Sequence, residues 1–297
     1  MRLENIKDAT PVELKAIQDK ELEALNLFKE IVQKENLPFY LAGGSLIGAV
    51  RDGGFIPWDD DIDVMMWRKD FETLYSKRET AFGETPLVLA RSTEKINQHL
   101  TGMTLRDSST TFINKHSLHE KGLIQSIGFD ILPIDYRASG KLNIIKQQLW
   151  AIIFSLYNAD RLPDHQGMAV RFLSWLPLKI FTKHQKYKIW KHAERRMVAL
   201  GDKNSGFAIE LGVGLTRIFK PIKLELLEPV QFVPFEEGSM PIPTGYDEYL
   251  RIVYGDYMSL PSEDERIARH TTVLVDTEQP FTESVREQLI REEVGDD

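Results

Sequence analysis

The chain has 297 residues, of which 42% are hydrophobic and 28% charged; this reads as a globular protein and excludes a disordered, collagen-like or fibrous one. It contains no cysteine, so disulfides, zinc–thiolate centres, iron–sulfur clusters and cysteine nucleophiles are excluded together. The formal charge of −8 argues against nucleic acid as a partner. The N-terminus has no signal-type apolar core and no apolar run reaches about 18 residues, so a cytoplasmic location is expected.

Thr10, Pro11 and Glu13 spell an N-cap, a proline at the first helical position and a capping box. Leu14, Ile17, Leu25, Phe28 and Val32 follow at helical spacing, and Asn36 and Pro38 end the helix. Phe39 to Ala42 reads as a short buried strand stopped by Gly43-Gly44, and Ser45 to Arg51 as a short helix. After a turn at Gly53-Gly54, Asp61 to Met65 alternates like a strand. Asp70 to Arg78 is expected to be helical; Leu87 to Ala90, Met103 to Ile113 and Ile127 to Ile134 are expected to be strands.

From 141 to 196 the composition shifts: eleven Lys or Arg face three acids, so this stretch carries +8 and the rest of the chain −16. Its apolar patches, Trp150 to Tyr157 and Phe172 to Phe181, predict two or three helices broken near Pro163 and Pro177. Its basic, apolar character fits a platform for an anionic glycan at a membrane surface, against the plainer reading of a helical subdomain solvated by its cations. Beyond it, a helix is expected over Tyr246 to Val253, and the acidic tail from Thr277 to Asp297 is expected to be exposed.

The chemistry concentrates in residues 40–66, YLAGGSLIGAVRDGGFIPWDDDIDVMM. Two apart on a strand, Asp61 and Asp63 point to one face while Ile62 and Val64 enter the core. Carboxylates held so close repel unless a cation lies between them, and hard oxygen ligands suit Mg²⁺ or Mn²⁺. Gly43 and Gly44 let backbone amides approach phosphate, and Ser45 opens a helix whose N-terminus favours an anion. A third carboxylate, Asp130, is flanked by apolar residues in Gly128-Phe129-Asp130-Ile131 and would complete a triad. Taken singly, a Gly-Gly-Ser is usually a turn and a run of acids a solvated face; the alternation with Ile and Val sets this run apart. Arg51 and Arg106 are candidates for phosphate contact, with a helix C-terminal cation as the plainer role of Arg51. Asp59 and Asp60 are outer groups or turn caps, and His270 is a partner for phosphate or a carboxylate.

The order strand, Gly-Gly-Ser, short helix, Asp-x-Asp strand and later strand Asp resembles the nucleotidyltransferase superfamily, whose fold is shared with DNA polymerase beta. LAGGSLIGAVRDGGFIPWDDDIDV resembles the signature of the LicD phosphotransferases and their fukutin-type relatives. FDILPID at 129–135 and YDEYLRIVYGDYMSLPSEDERIARH at 246–270 resemble the family's later motifs, so the likeness spans about 40–270. It implies an α+β, nucleotidyltransferase-like mixed-sheet core, to which the basic stretch, by its composition, adds a helical subdomain. Residues 1–140 would form the catalytic core, 141–200 a basic and apolar helical insert, and 201–297 a part that packs on the core and completes the site.

The resemblance also implies metal-dependent transfer of phosphocholine from CDP-choline to a sugar hydroxyl, releasing CMP. The acceptor would be a lipid-linked precursor of teichoic acid or lipopolysaccharide, met at the inner face of the cell membrane. Asp61, Asp63 and Asp130 match the family's metal carboxylates, and Gly43, Gly44 and Ser45 its phosphate loop. A quaternary ammonium calls for an aromatic cage, for which Trp58, Tyr254 and Tyr257 are candidates. Two other readings stand beside this one: a relative using another CDP-alcohol or nucleotide donor, and a non-catalytic glycan- or membrane-binding scaffold.

Overall fold

The computed structural model describes residues 1–159 and 179–295. Helix α1 (Pro11–Lys34) forms as its capping signals predict: the Glu13 N–H donates to Thr10 Oγ1 at 3.3 Å while the Thr10 N–H donates to Glu13 Oε2 at 2.9 Å. It ends where Asn36 takes a positive φ of 55°. Its inner face, Leu25, Phe28 and Val32, packs on a mixed sheet.

That sheet has strand order β2-β3-β7-β5-β4, with β2 (Tyr40–Leu41), β3 (Asp63–Trp67), β4 (Leu87–Ala90), β5 (Met103–Asp107) and β7 (Gly128–Tyr136). β3 and β7 are parallel, with Asp63 opposite Asp130; β2, β4 and β5 run antiparallel to their neighbours. Val64, Met66, Leu105 and Ile131 bury its interior. A short antiparallel extension, β8 (Phe207–Ile209) and β9 (Ile222–Lys223), continues from the far end of β7. A second sheet, β1 (Arg2–Leu3), β12 (Thr272–Asp276) and β6 (Thr111–Asn114), is antiparallel and ties the N-terminus to the last strand. The hairpin β10 (Val230–Phe235) and β11 (Gly238–Pro243) forms the third. The architecture is mixed α+β, with nine α-helices among the described residues.

Several boundaries differ from the sequence expectation. Helix α2 (Gly43–Arg51) starts two residues before Ser45, because the Leu46 N–H already donates to the Ala42 carbonyl at 3.0 Å; Gly43 turns the chain into it with a φ of 56° that few other residues tolerate. The strand expected from Asp61 starts at Asp63, leaving Asp61 in the preceding loop. The stretch 103–113 is two strands, since the Asp107 carboxylate accepts from the Ser109 N–H and hydroxyl and turns the chain. The helix expected over 70–78 is α3 (Arg68–Ser76) followed by α4 (Arg78–Phe82). The acidic tail is not simply exposed: Thr277 is buried, and α9 (Glu283–Gly295) sets Val285, Leu289 and Ile290 against Ile113, Leu118 and Leu274.

In the basic stretch, α5 (Lys141–Ala159) and α6 (Lys183–Ala199) pack together, with Phe154 stacked on Trp190 at 5.6 Å. The breaks expected near Pro163 and Pro177 lie outside the described residues. The cluster between these helices also takes in Ile209, Leu211 and Ile218. Polar contacts fasten α6 to the core. Arg68 bonds both oxygens of Asp135 at 2.9 Å and Glu194 at 3.1 Å, and Arg91 pairs with Glu72 and Glu194. The short α7 (Leu224–Leu227) and α8 (Tyr246–Tyr254) complete the core.

Candidate active site

The parallel pairing of β3 with β7 puts Asp63 and Asp130 side by side, and antiparallel β5 adds Thr104 opposite Asp130. Arg106, two residues along β5, donates to Asp130 Oδ1 at 3.2 Å and to the Gly128 carbonyl at 3.1 Å. The start of α2 lies against these acids: a Cβ on Gly43 would come within 2.6 Å of Asp63 Oδ2, and one on Gly44 would strike Asp59 Oδ2. Ser45 is buried and its hydroxyl accepts from the Asp63 N–H at 2.9 Å, so it fixes the strand rather than opening the helix to solvent.

The loop before β3 carries the rest. Among the described residues, the three carboxylates that come within 4.8 Å of one another are those of Asp59, Asp60 and Asp61. Asp60 is already satisfied: its oxygens accept from the Arg269 N–H (3.0 Å), the His270 N–H and His270 Nδ1 (3.2 Å each). Burial pushes Asp60 up, but these bonds and the imidazolium more than offset it, leaving the carboxyl below its usual range. Reciprocally, burial pulls His270 down while Asp60 raises it further, to about 9. The other acids go the opposite way. Burial, then Asp61 and Asp60, raise Asp59 to about 7; burial, then Asp61 and Asp130, push Asp63 well up; burial also raises Asp61.

Two side chains of α1 join the site without a motif to announce them. Gln18 donates to the Asp59 carbonyl at 2.9 Å. Glu21 is 2% exposed, its Oε2 has no partner, and burial followed by Asp61 and Asp60 pushes its carboxyl well up. The available signal was a charged residue in phase with Ile17, Ala24 and Phe28 on an apolar stripe.

This donor set is all oxygen, crowded and short of cations, and one buried carboxylate oxygen is orphaned. A hard divalent ion fits it.

The remaining sequence candidates are scattered. Arg51, in the last turn of α2, turns back on Asp52 at 2.9 Å and lies over Trp58. Tyr254 reaches the acids: with Gly43, Asp63, Glu210 and Arg217 it lines one cleft. Tyr257 is buried and gives its hydroxyl to Asp247 at 2.7 Å, outside that cleft. All three candidate aromatics already carry a guanidinium near their rings: Arg51 and Arg266 at Trp58 (5.7 and 5.6 Å), Arg217 at Tyr254 (4.5 Å) and Arg251 at Tyr257 (5.8 Å).

Comparison with known proteins supports the motif reading. Residues 36–123 match the family model described as LicD/FKTN/FKRP, nucleotidyltransferase domain, a span that holds Asp59 to Asp63 and ends before Asp130. Over 283 residues, 86% of this chain and 96% of the relative, the sequence is 28% identical to the lipopolysaccharide cholinephosphotransferase LicD of Haemophilus influenzae. Shorter matches reach an uncharacterized protein of Rickettsia typhi (33% over 72 residues, 23% of each chain) and one of Rickettsia prowazekii (42% over 41 residues, 14% of this chain and 15% of that one).

Proposed function

We propose that the chain is a transferase of LicD type, which moves phosphocholine from CDP-choline to a sugar hydroxyl of a lipid-linked surface glycan, of lipopolysaccharide or teichoic-acid type. The observation that carries this reading is the strand-to-strand pairing of Asp63 with Asp130 at the start of the glycine-led helix α2. The family name supports a nucleotidyltransferase-like reading of the mixed sheet.

Asp61, Asp63 and Asp130 are the residues that would hold Mg²⁺ or Mn²⁺. Bound there, such an ion neutralises the donor's diphosphate and the charge that develops during in-line displacement. The chain itself does the positioning. Gly43 and Gly44 leave room beside Asp63 and Asp59 where a methyl group would collide. Ser45 locks the backbone of Asp63, and Arg106 fixes the rotamer of Asp130. The acceptor oxygen attacks the phosphorus that bears choline; that P–O bond forms as the P–O bond to CMP breaks, and CMP leaves with the electron pair. Asp130, only partly covered, takes the hydroxyl proton.

A second reading has a specific observation in its favour. Because each candidate aromatic is already faced by an arginine, a donor whose alcohol is uncharged or anionic, such as CDP-glycerol or CDP-ribitol, fits the described surface without displacing a cation. The test is CMP release by the purified protein with Mg²⁺ and a glycan precursor, across CDP-choline, CDP-ethanolamine, CDP-glycerol and CDP-ribitol, with Asp61→Ala as control. Release from CDP-choline by the wild type alone supports the first reading; release only from CDP-glycerol or CDP-ribitol replaces it with the second, and release only from CDP-ethanolamine refutes both by assigning a different cationic head group. Glycan binding that survives in Asp61→Ala, with no release from any donor, moves the protein to the scaffold class.

A further inference from the structure

Helix α5 buries one side and carries an apolar stripe on the other. Gln147, Ala151, Phe154 and Asn158 form its buried face, in contact with the α6 cluster. At about 100° per residue, Leu142, Ile145, Leu149 and Ile152 fall on the other side. These four are 74%, 53%, 54% and 36% exposed. Scattered apolar side chains at a surface need no explanation, but a stripe at i, i+3, i+7 and i+10 on a helix whose other face already meets the core does.

The charge around the stripe identifies its occupant. Lys141 and Lys146 are exposed and flank it on either side, and α5 carries no acidic residue; α6, packed on the other side of α5, exposes Lys183, Lys188 and Arg195 as well. The stretch 141–196 is +8 in a chain of −8. We propose that α5 lies flat on an anionic lipid bilayer, its stripe at the boundary of headgroups and acyl chains and its lysines on the headgroup phosphates. A second copy of the chain is a poorer partner, because a two-fold contact through this stripe would bring Lys141 and Lys146 against their own like charges. No described helix is long and apolar enough to cross a membrane, in keeping with attachment at the surface. The inference is independent of the donor, since it concerns where the protein sits and not what it transfers.

The test is co-sedimentation of the full chain with vesicles of phosphatidylglycerol and phosphatidylcholine in equal parts, and with vesicles of phosphatidylcholine alone. Binding is expected to the first and to be much weaker with the second. Leu142→Ser/Ile145→Ser/Leu149→Ser should abolish it with an unchanged melting temperature, since these side chains are exposed. Lys141→Gln/Lys146→Gln should weaken it about 30-fold, from roughly fivefold per lysine. A single Ile145→Trp variant gives a second readout: its emission should shift to the blue and be quenched by brominated lipid. Equal binding to both vesicles, full binding by the triple serine variant, or a tryptophan that stays in water overturns the proposal. A dimer that dissociates in the triple variant, without lipid binding, overturns it in favour of a second copy.

Discussion

Replacing Gly43 by alanine separates the backbone role of the α2 start from its role beside the acids, with Gly53→Ala as the internal control. Both glycines have positive φ, 56° and 75°, so alanine at either site costs roughly 1–2 kcal/mol of strain. A Cβ at Gly53 meets nothing within 4 Å, whereas at Gly43 it lies 2.6 Å from Asp63 Oδ2. Contacts of that kind do not close below about 3.0 Å, so the Asp63 carboxylate must retreat by at least 0.4 Å. A catalytic constellation tolerates about 0.5 Å, and a 1 Å misplacement can cost on the order of 100-fold in rate. Gly43→Ala should therefore lose about 10- to 100-fold in turnover, read as CMP release, while Gly53→Ala keeps its rate. In scanning fluorimetry both should lose a few degrees of melting temperature. Equal turnover in the two variants would refute the reasoning, because it would mean that the carboxylate beside Gly43 takes no part in the reaction.

Asp63→Asn should abolish turnover, by about a thousandfold or more, yet raise thermal stability in chelator by roughly 1 kcal/mol, because it removes a buried charge set against Asp61 and Asp130. Adding Mg²⁺ or Mn²⁺ should raise the melting temperature of the wild type and leave that of Asp63→Asn unmoved. His270, raised to about 9 by its bonds to Asp60, contributes stability that is full below its unfolded value near 6.5 and fades as pH climbs through 9. Its side chain is 37% exposed, so the loss is screened to about 1–2 kcal/mol. Urea titrations in chelator at pH 6 and pH 10 should show this loss on top of the one from Asp59, whose raised carboxyl also gives up its proton above pH 6, and His270→Gln should remove only the histidine's share. Glu194→Gln removes one of the two buried carboxylate partners of Arg68 and of Arg91, which keep Asp135 and Glu72, and should cost about 1–3 kcal/mol by urea unfolding, without a direct effect on the acids.

The local signals that proved legible were those whose cause is local. The capping box of α1, the strand over Leu87–Ala90 and the helix from Tyr246 come out where chain-neighbour chemistry puts them. The boundaries that moved were set by tertiary contacts or by one residue's backbone: Asp63 begins its strand because Asp130 pairs with it from 67 positions away, and Asp107 breaks the 103–113 run through its own side chain. The tail shows the same limit. Its acidic composition suggested exposure, but Arg286 is only 1% exposed and the apolar side of α9 closes over β6 and β12. At the site, the motif supplied the acids, whereas Glu21 and Gln18 enter from a helix nearly 40 residues earlier and become visible only when α1 packs.

The same chain handles buried charge in two ways, and the contrast locates its chemistry. Behind β7, Arg68, Arg91 and Lys191 face Asp135, Glu72 and Glu194, so each charge has a partner and Glu194 is held below its usual range despite its burial. At the start of α2, Glu21, Asp59, Asp60, Asp61, Asp63 and Asp130 crowd together, and among the described residues direct side-chain pairing comes from His270 and Arg106 alone. Burying unpaired carboxylates costs several kcal/mol each unless they protonate or meet a cation. A fold that neutralises one cluster residue by residue has the means to neutralise the other. The surplus at Asp59, Asp61, Asp63 and Glu21 is thus a standing demand for positive charge, which a divalent ion can meet.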